Sequence, residues 1–249
     1  MKFSANLGFL WNDRPLPDAI HAAKAAGFDA VECHWPYDTP AADVRAALDA
    51  SGLPMLGLNT SRGDLSAGEN GLAALPDRVE DARAAIDQAI AYAAIVDADA
   101  IHVMCGFASG ADAHDTFVKN LRYACGATDR TILIEPLNRH DAPGYFLQTT
   151  DQARAIIEKV ATPNLKLMFD CYHVGRTEGD ILTRLADVHD IIGHIQFASV
   201  PDRGAPDHGE LDYATIFAAL TDWPRPLGAE YKPSGDTDAT LGWMQSMRP

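Results

Sequence analysis

Residues 131–138 read TILIEPLN, a β-branched and aliphatic run that ends on a carboxylate. Thr131 through Ile134 show no polar alternation, which is the pattern of a strand buried on both faces, as in a parallel sheet covered by helices. Glu135 then falls where burial should stop. Pro136 ends the strand, and Asn138 and His140 bring further polar groups into the next loop. Taken alone, such a glutamate reads as a surface acid at a strand exit. Its weight comes from recurrence.

Upstream, strands are expected at 3–7, 30–33, 54–59 and 100–104. Between them Ala-rich helical spacing covers 15–26, stopped by Gly27, and 40–50, closed by Ser51 and Gly52. A polar loop, TSRGDLSAGENG, leads to a long helix starting near Asp77, where Asp77 and Glu80 match a capping box. A further helix holds Phe117, Val118, Leu121 and Tyr123. Downstream, helices are expected at 150–160 (capped by Thr149 or Thr150), 180–188, 213–220 and 237–247, and strands at 165–169, 193–197 and 226–230. Strand and helix candidates alternate without a Ser- or Pro-rich linker, so the expected fold is α/β, a single (β/α)8 TIM barrel over residues 1–249. The competing doubly wound sheet would bring a Gly-rich phosphate turn after its first strand, and ANLGFLWND has none.

Composition narrows the partners. The 20 basic and 35 acidic side chains leave a net charge of −15, which repels nucleic acid and anionic membrane surfaces and fits a small-molecule or cationic partner better. Cys33, Cys105, Cys125 and Cys171 form no C-x-x-C pair and are expected as reduced thiols. The start, MKFSANLGFL, lacks the apolar stretch of a signal peptide, and no window approaches the ~20 apolar residues of a membrane span. A cytoplasmic, soluble protein is the expectation.

In a barrel, residues at the C-terminal ends of different strands converge on one face. Glu135, Asp170, Gln196 and Glu230 occupy those positions on the last four strands. Three carboxylates and an amide oxygen suit one hard divalent cation, Mg2+ or Mn2+; the alternative is four unrelated polar residues at barrel exits. His173, Arg203 and Lys232 lie in the loops that follow, and cationic groups there suit an anionic substrate such as a carboxylate, although loop cations are commonly just solvated. His102 reads as a packed barrel histidine rather than a ligand. Glu32 reads as a hydrogen-bond acceptor behind the site or as a purely structural acid.

Together, FSANL, VECHWPYD, NTSRGDLSAGENGLAALP, ILIEPLN, FDCYH, GHIQFASVPDRGAPDHGELDY and AEYKP resemble the hydroxypyruvate isomerase family within the xylose isomerase-like barrels, over essentially the whole chain. The resemblance implies that Glu135 and Glu230 are the acid/base pair and that Glu135, Asp170, Gln196 and Glu230 coordinate the divalent metal. It also implies that His173, Arg203 and Lys232 hold a small anionic 2-oxo or hydroxy acid. Hydroxypyruvate and tartronate semialdehyde are the implied pair, with a 2-oxo-tetronate isomerase or a ketose 3-epimerase as alternatives using the same groups. Related barrels include metal-dependent endonucleases, which need many histidines and a basic surface. A dimer or tetramer is in keeping with such barrels, with Trp243 and Met244 either sealing an interface or capping the barrel. Two departures stand out: Ala205 occupies a position expected to be acidic, and His34-Trp35 replaces an apolar pair.

Overall fold

The computed structural model describes residues 1–247. Eight parallel strands, β1 (Phe3–Asn6), β2 (Ala30–Glu32), β3 (Gly57–Asn59), β4 (Ala100–His102), β5 (Thr131–Ile134), β6 (Leu165–Asp170), β7 (Ile192–Phe197) and β8 (Leu227–Ala229), are ordered β2-β1-β8-β7-β6-β5-β4-β3. Backbone bonds join the two ends of that order: Val31 N–H donates to the Pro54 carbonyl, Leu56 N–H to Val31 and Cys33 N–H to Gly57. The result is a TIM barrel, whose β2–β3 seam is held by these few bonds rather than by a full ladder.

Helices α1 (Leu16–Ala25), α2 (Ala41–Ser51), α3 (Val79–Val96), α4 (Gly110–Ala127), α5 (Thr150–Val160), α6 (Cys171–Thr177), α7 (Ile181–Val188), α8 (Tyr213–Ala219) and α9 (Trp243–Met247) surround the strands. Outward strand residues such as Phe3, Ile101, Ile132, Ile134, Phe169 and Phe197 join the helices' apolar faces in one continuous core. Each such side chain, fully buried, contributes about 1.5–3 kcal/mol. Trp243 and Met244 belong to this core, with the Trp243 ring edge-on to Phe3 and Phe197, so they cap the barrel and are not free to seal an interface. All four cysteines are free and buried.

Three local outcomes differ from the sequence reading. The expected capping box does not form: residues 76–78 make a short 3-10 turn, α3 begins at Val79, and no side chain caps it. The closing segment is a 3-10 turn at Thr237–Thr240 followed by α9, not one helix. Helix α6 starts directly after β6, with Asp170 as its N-cap; CYHVGRT has too little helix propensity to announce it, and burial of Tyr172 and Val174 holds it in place.

The two-residue period of the strands decides what lines the barrel. Ala100, Leu133 and Met168 form a small buried cluster of their own inside it. The residues two positions further along those strands, His102, Glu135 and Asp170, therefore lie one layer nearer the C-terminal mouth. By the same period Asn6, Glu32, Gln196 and Glu230 enter that layer, and all seven are buried.

Candidate functional site

The layer at the barrel mouth is a concentration of polar groups in a place that ordinarily excludes them. Burial, then the neighbouring Glu230 and Asp170 charges, push the Glu135 carboxyl well above the usual carboxylate range. Burial and the Glu230 charge likewise raise Asp170 to about 8. Burial opposes ionisation of Glu230 as well, yet the Arg203 guanidinium and the His34 hydrogen bond outweigh it and hold that carboxyl below its ordinary value. One oxygen each of Glu135, Asp170 and Gln196 (Oε1, Oδ2 and Oε1) is buried without a hydrogen-bond partner. Buried polar atoms are rarely left so. Hard oxygens suit a divalent cation, and Glu135, Asp170 and His173 each offer an atom within 4.8 Å of the others.

His173 sits on α6 with Nε2 3.6 Å from Asp170 Oδ2 and 3.9 Å from Glu135 Oε1. Its Nδ1 accepts the backbone N–H of Asn138 at 3.0 Å. A ring nitrogen that accepts carries no proton, so in the neutral ring the proton sits on Nε2. Burial and the nearby Arg203 charge lower the His173 pKa to about 3, which keeps the ring neutral. The side chain thus presents an N–H donor to the site, which suits a substrate oxygen better than a metal.

Arg203 enters from the β7 loop, its backbone in the left-handed region at φ 58°. The guanidinium donates to Glu230 Oε2 at 2.5 Å and lies 3.7 Å from Asp170 Oδ2. The rings of Phe9 and Tyr172 lie 4.9 and 5.0 Å from it, two cation–π contacts that fix its place. Lys232 differs. It is exposed, with its ammonium 5.9 Å from the Phe9 ring centroid, and it borders a cavity of about 500 Å3 also lined by Ala205, His208 and Ser234.

The xylose isomerase-like TIM barrel family model matches residues 20–247. The chain belongs to this family. It is 44% identical to the 2-oxo-tetronate isomerase of Cupriavidus necator, over 98% of this chain and 97% of that protein. It is 36% identical to the hydroxypyruvate isomerase of Escherichia coli, over 100% of both. Among solved structures, the Brucella melitensis protein described as an AP endonuclease of family 2 superposes with a TM-score of 0.94 at 34% identity, covering 100% of this chain and 99% of the other.

Within this xylose isomerase-like barrel, Glu135, Asp170, Gln196, Glu230, His173 and Arg203 come together at the mouth, while Lys232 stands at its rim. Two residues have more prominent places than the sequence reading gave them. His102 points inward, its Nδ1 3.7 Å from Glu135 Oε2 and both ring nitrogens unpartnered; burial lowers its pKa to about 4. His34 hydrogen-bonds Glu230 Oε1 through Nε2 at 2.8 Å, between the rings of Phe9 and Trp35. For His102 the signal was the strand period, since 100 and 102 share one face of β4.

Proposed function

We propose that this xylose isomerase-like barrel is an isomerase of short 2-oxo and hydroxy acids, interconverting hydroxypyruvate with tartronate semialdehyde or acting on the one-carbon-longer 2-oxo-tetronate. The observation that carries this reading is the pair Glu135 and Glu230, two buried glutamates in one charge cluster whose surroundings push their proton affinities apart. Divergent carboxyls are what a reaction that removes a proton from one carbon and returns one to its neighbour requires. The names borne by the Cupriavidus and Escherichia relatives support the substrate class.

In the proposed reaction one glutamate takes the C–H proton beside the carbonyl, giving an enediol, and the other delivers a proton to the former carbonyl carbon. The hydroxyl proton passes between the two adjacent oxygens, so no atom is gained or lost. His173 Nε2–H and the Arg203 guanidinium donate to substrate oxygens, and Lys232 at the rim pairs with the carboxylate. Glu135, Asp170, Gln196 and Glu230 would hold Mg2+ or Mn2+, whose positive charge stabilises the negative charge developing on the substrate oxygens.

A ketose 3-epimerase would use the same glutamates, but a free ketose brings no carboxylate for Lys232 to pair with. A nucleic-acid substrate is opposed by the net charge of −15. The test is turnover of hydroxypyruvate, 2-oxo-tetronate and D-fructose by the purified chain with Mn2+, beside Glu135→Gln and Glu230→Gln. Each substitution should cost on the order of 10²- to 10⁴-fold in kcat on the acids. Full activity in either variant, or turnover confined to the ketose, would refute the assignment.

A further inference from the structure

The layer at the mouth holds a further buried carboxylate, Glu32, that the proposed proton transfers do not use. Glu32, on β2, accepts from three sides: His194 Nε2 at 2.5 Å, Gln196 Nε2 at 2.8 Å and Asn6 Nδ2 at 3.0 Å. Asn6 Nδ2 also reaches Glu230 Oε1 at 3.0 Å, and Asn6 Oδ1 accepts the Gly8 N–H at 2.9 Å, so that amide cannot turn over without losing its partners. On β8, a Cβ at position 228 would lie 2.7 Å from Glu32 Oε1 and 2.9 Å from Gln196 Cγ; Gly228 provides the room the cluster occupies.

An amide has two ends, and only one can hold a cation. Glu32 Oε1 accepts from the Gln196 NH2, which turns Gln196 Oε1 the other way. That oxygen is buried and unpartnered, as are Glu135 Oε1 and Asp170 Oδ2. We infer that Glu32, clamped by His194, is the positioning residue that fixes the Gln196 carbonyl toward the cation site and, through Asn6, sets the angle of Glu230. The inference rests on the metal-assisted reading above. Groups that orient ligands from behind are ordinarily worth about 10–100-fold in metal affinity.

The experiment is calorimetric titration of the metal-free, full-length protein with Mn2+ and no substrate, for wild type, Glu32→Gln and His194→Leu, with urea unfolding of each metal-free protein alongside. In Glu32→Gln the new amide can offer Gln196 either a donor or an acceptor, so Gln196 is no longer forced to face the site with its oxygen. Mn2+ affinity should fall about 10–100-fold. His194→Leu, which frees the other oxygen of Glu32 while leaving the carboxylate, should fall in the same direction by less, and it carries the test if Glu32→Gln does not fold. Wild-type Mn2+ affinity in both variants, even with lowered unfolding midpoints, overturns the positioning role and leaves a merely structural one. Absence of Mn2+ binding by wild type overturns the metal reading itself, which is a separate outcome.

Discussion

The β5–β6 wall of the site leaves Glu135 with histidines beyond hydrogen-bond reach and one oxygen unpartnered, whereas the opposite side surrounds Glu230 with Arg203, His34 and Asn6. The two glutamates occupy equivalent strand exits and are equally buried. What separates them is whether a positive charge and donors stand beside the carboxylate. Burial raises both, and only Glu230 has enough compensation to reverse the shift. A shared strand-end position therefore does not confer a shared protonation state.

The sharpest way to break this contrast is to neutralise each glutamate in the metal-free protein. Glu135→Gln removes an uncompensated buried acid and should stabilise by about 1–3 kcal/mol, whereas Glu230→Gln strands the Arg203 guanidinium and should destabilise by about 3–5 kcal/mol. Urea unfolding at neutral pH reads both. Shifts of the same sign would end the asymmetry.

A smaller effect probes the Glu230 side alone. A methyl group at Gly8 would overlap the His34 imidazole, so Gly8→Ala should displace that ring. His34→Ala should lower kcat by about tenfold, equivalent to about 1.4 kcal/mol of hydrogen bonding to Glu230. Gly8→Ala should do nearly the same, and the double variant should be no worse than either single one. Additive losses would mean that Gly8 acts by some route other than His34.

How much of this contrast was legible in the sequence depended on the signal each residue carries. TILI and the helix at 150–160 were legible because a buried aliphatic run and a Thr cap are local features; the Thr149 side chain accepts from Gln152 N–H as the cap requires. Glu135, Asp170 and Glu230 were legible as carboxylates closing apolar runs. The opposition between them was not, because it arises from Arg203 and His34, which approach from loops distant in sequence. His34 also lies past the last β2 residue, where strand periodicity no longer announces a side chain's direction. Helix α6 was hidden for a different reason: tertiary burial, not propensity, holds its seven residues.

The smallest expected effect lies in the loop that delivers Arg203. His208 pairs with Asp202 and Asp207, each at 2.8 Å, and these hydrogen bonds raise its pKa. A raised histidine stabilises fully below its unfolded value of about 6.5, and that contribution disappears as pH climbs through the folded value. The group is half exposed, so the contribution should stay under about 1 kcal/mol. The Tm of His208→Asn should accordingly fall slightly below wild type at pH 5.5 and coincide with it at pH 9. A gap that persists at pH 9 would assign the effect to packing.

Asp170 closes β6 and opens α6, with Oδ1 committed to the Tyr172 N–H at 2.8 Å. Only Oδ2 is left to face the mouth. Gln196 likewise has a single oxygen to give, and Glu230 already spends both of its own on Arg203, His34 and Asn6. Such a set favours one-oxygen contacts, the habit of Mg2+ and its water-retaining octahedron, over the bidentate carboxylates and six to eight oxygens that Ca2+ gathers. On the proposed metal-assisted reading, helix capping at Asp170 would act as a size filter for the cation.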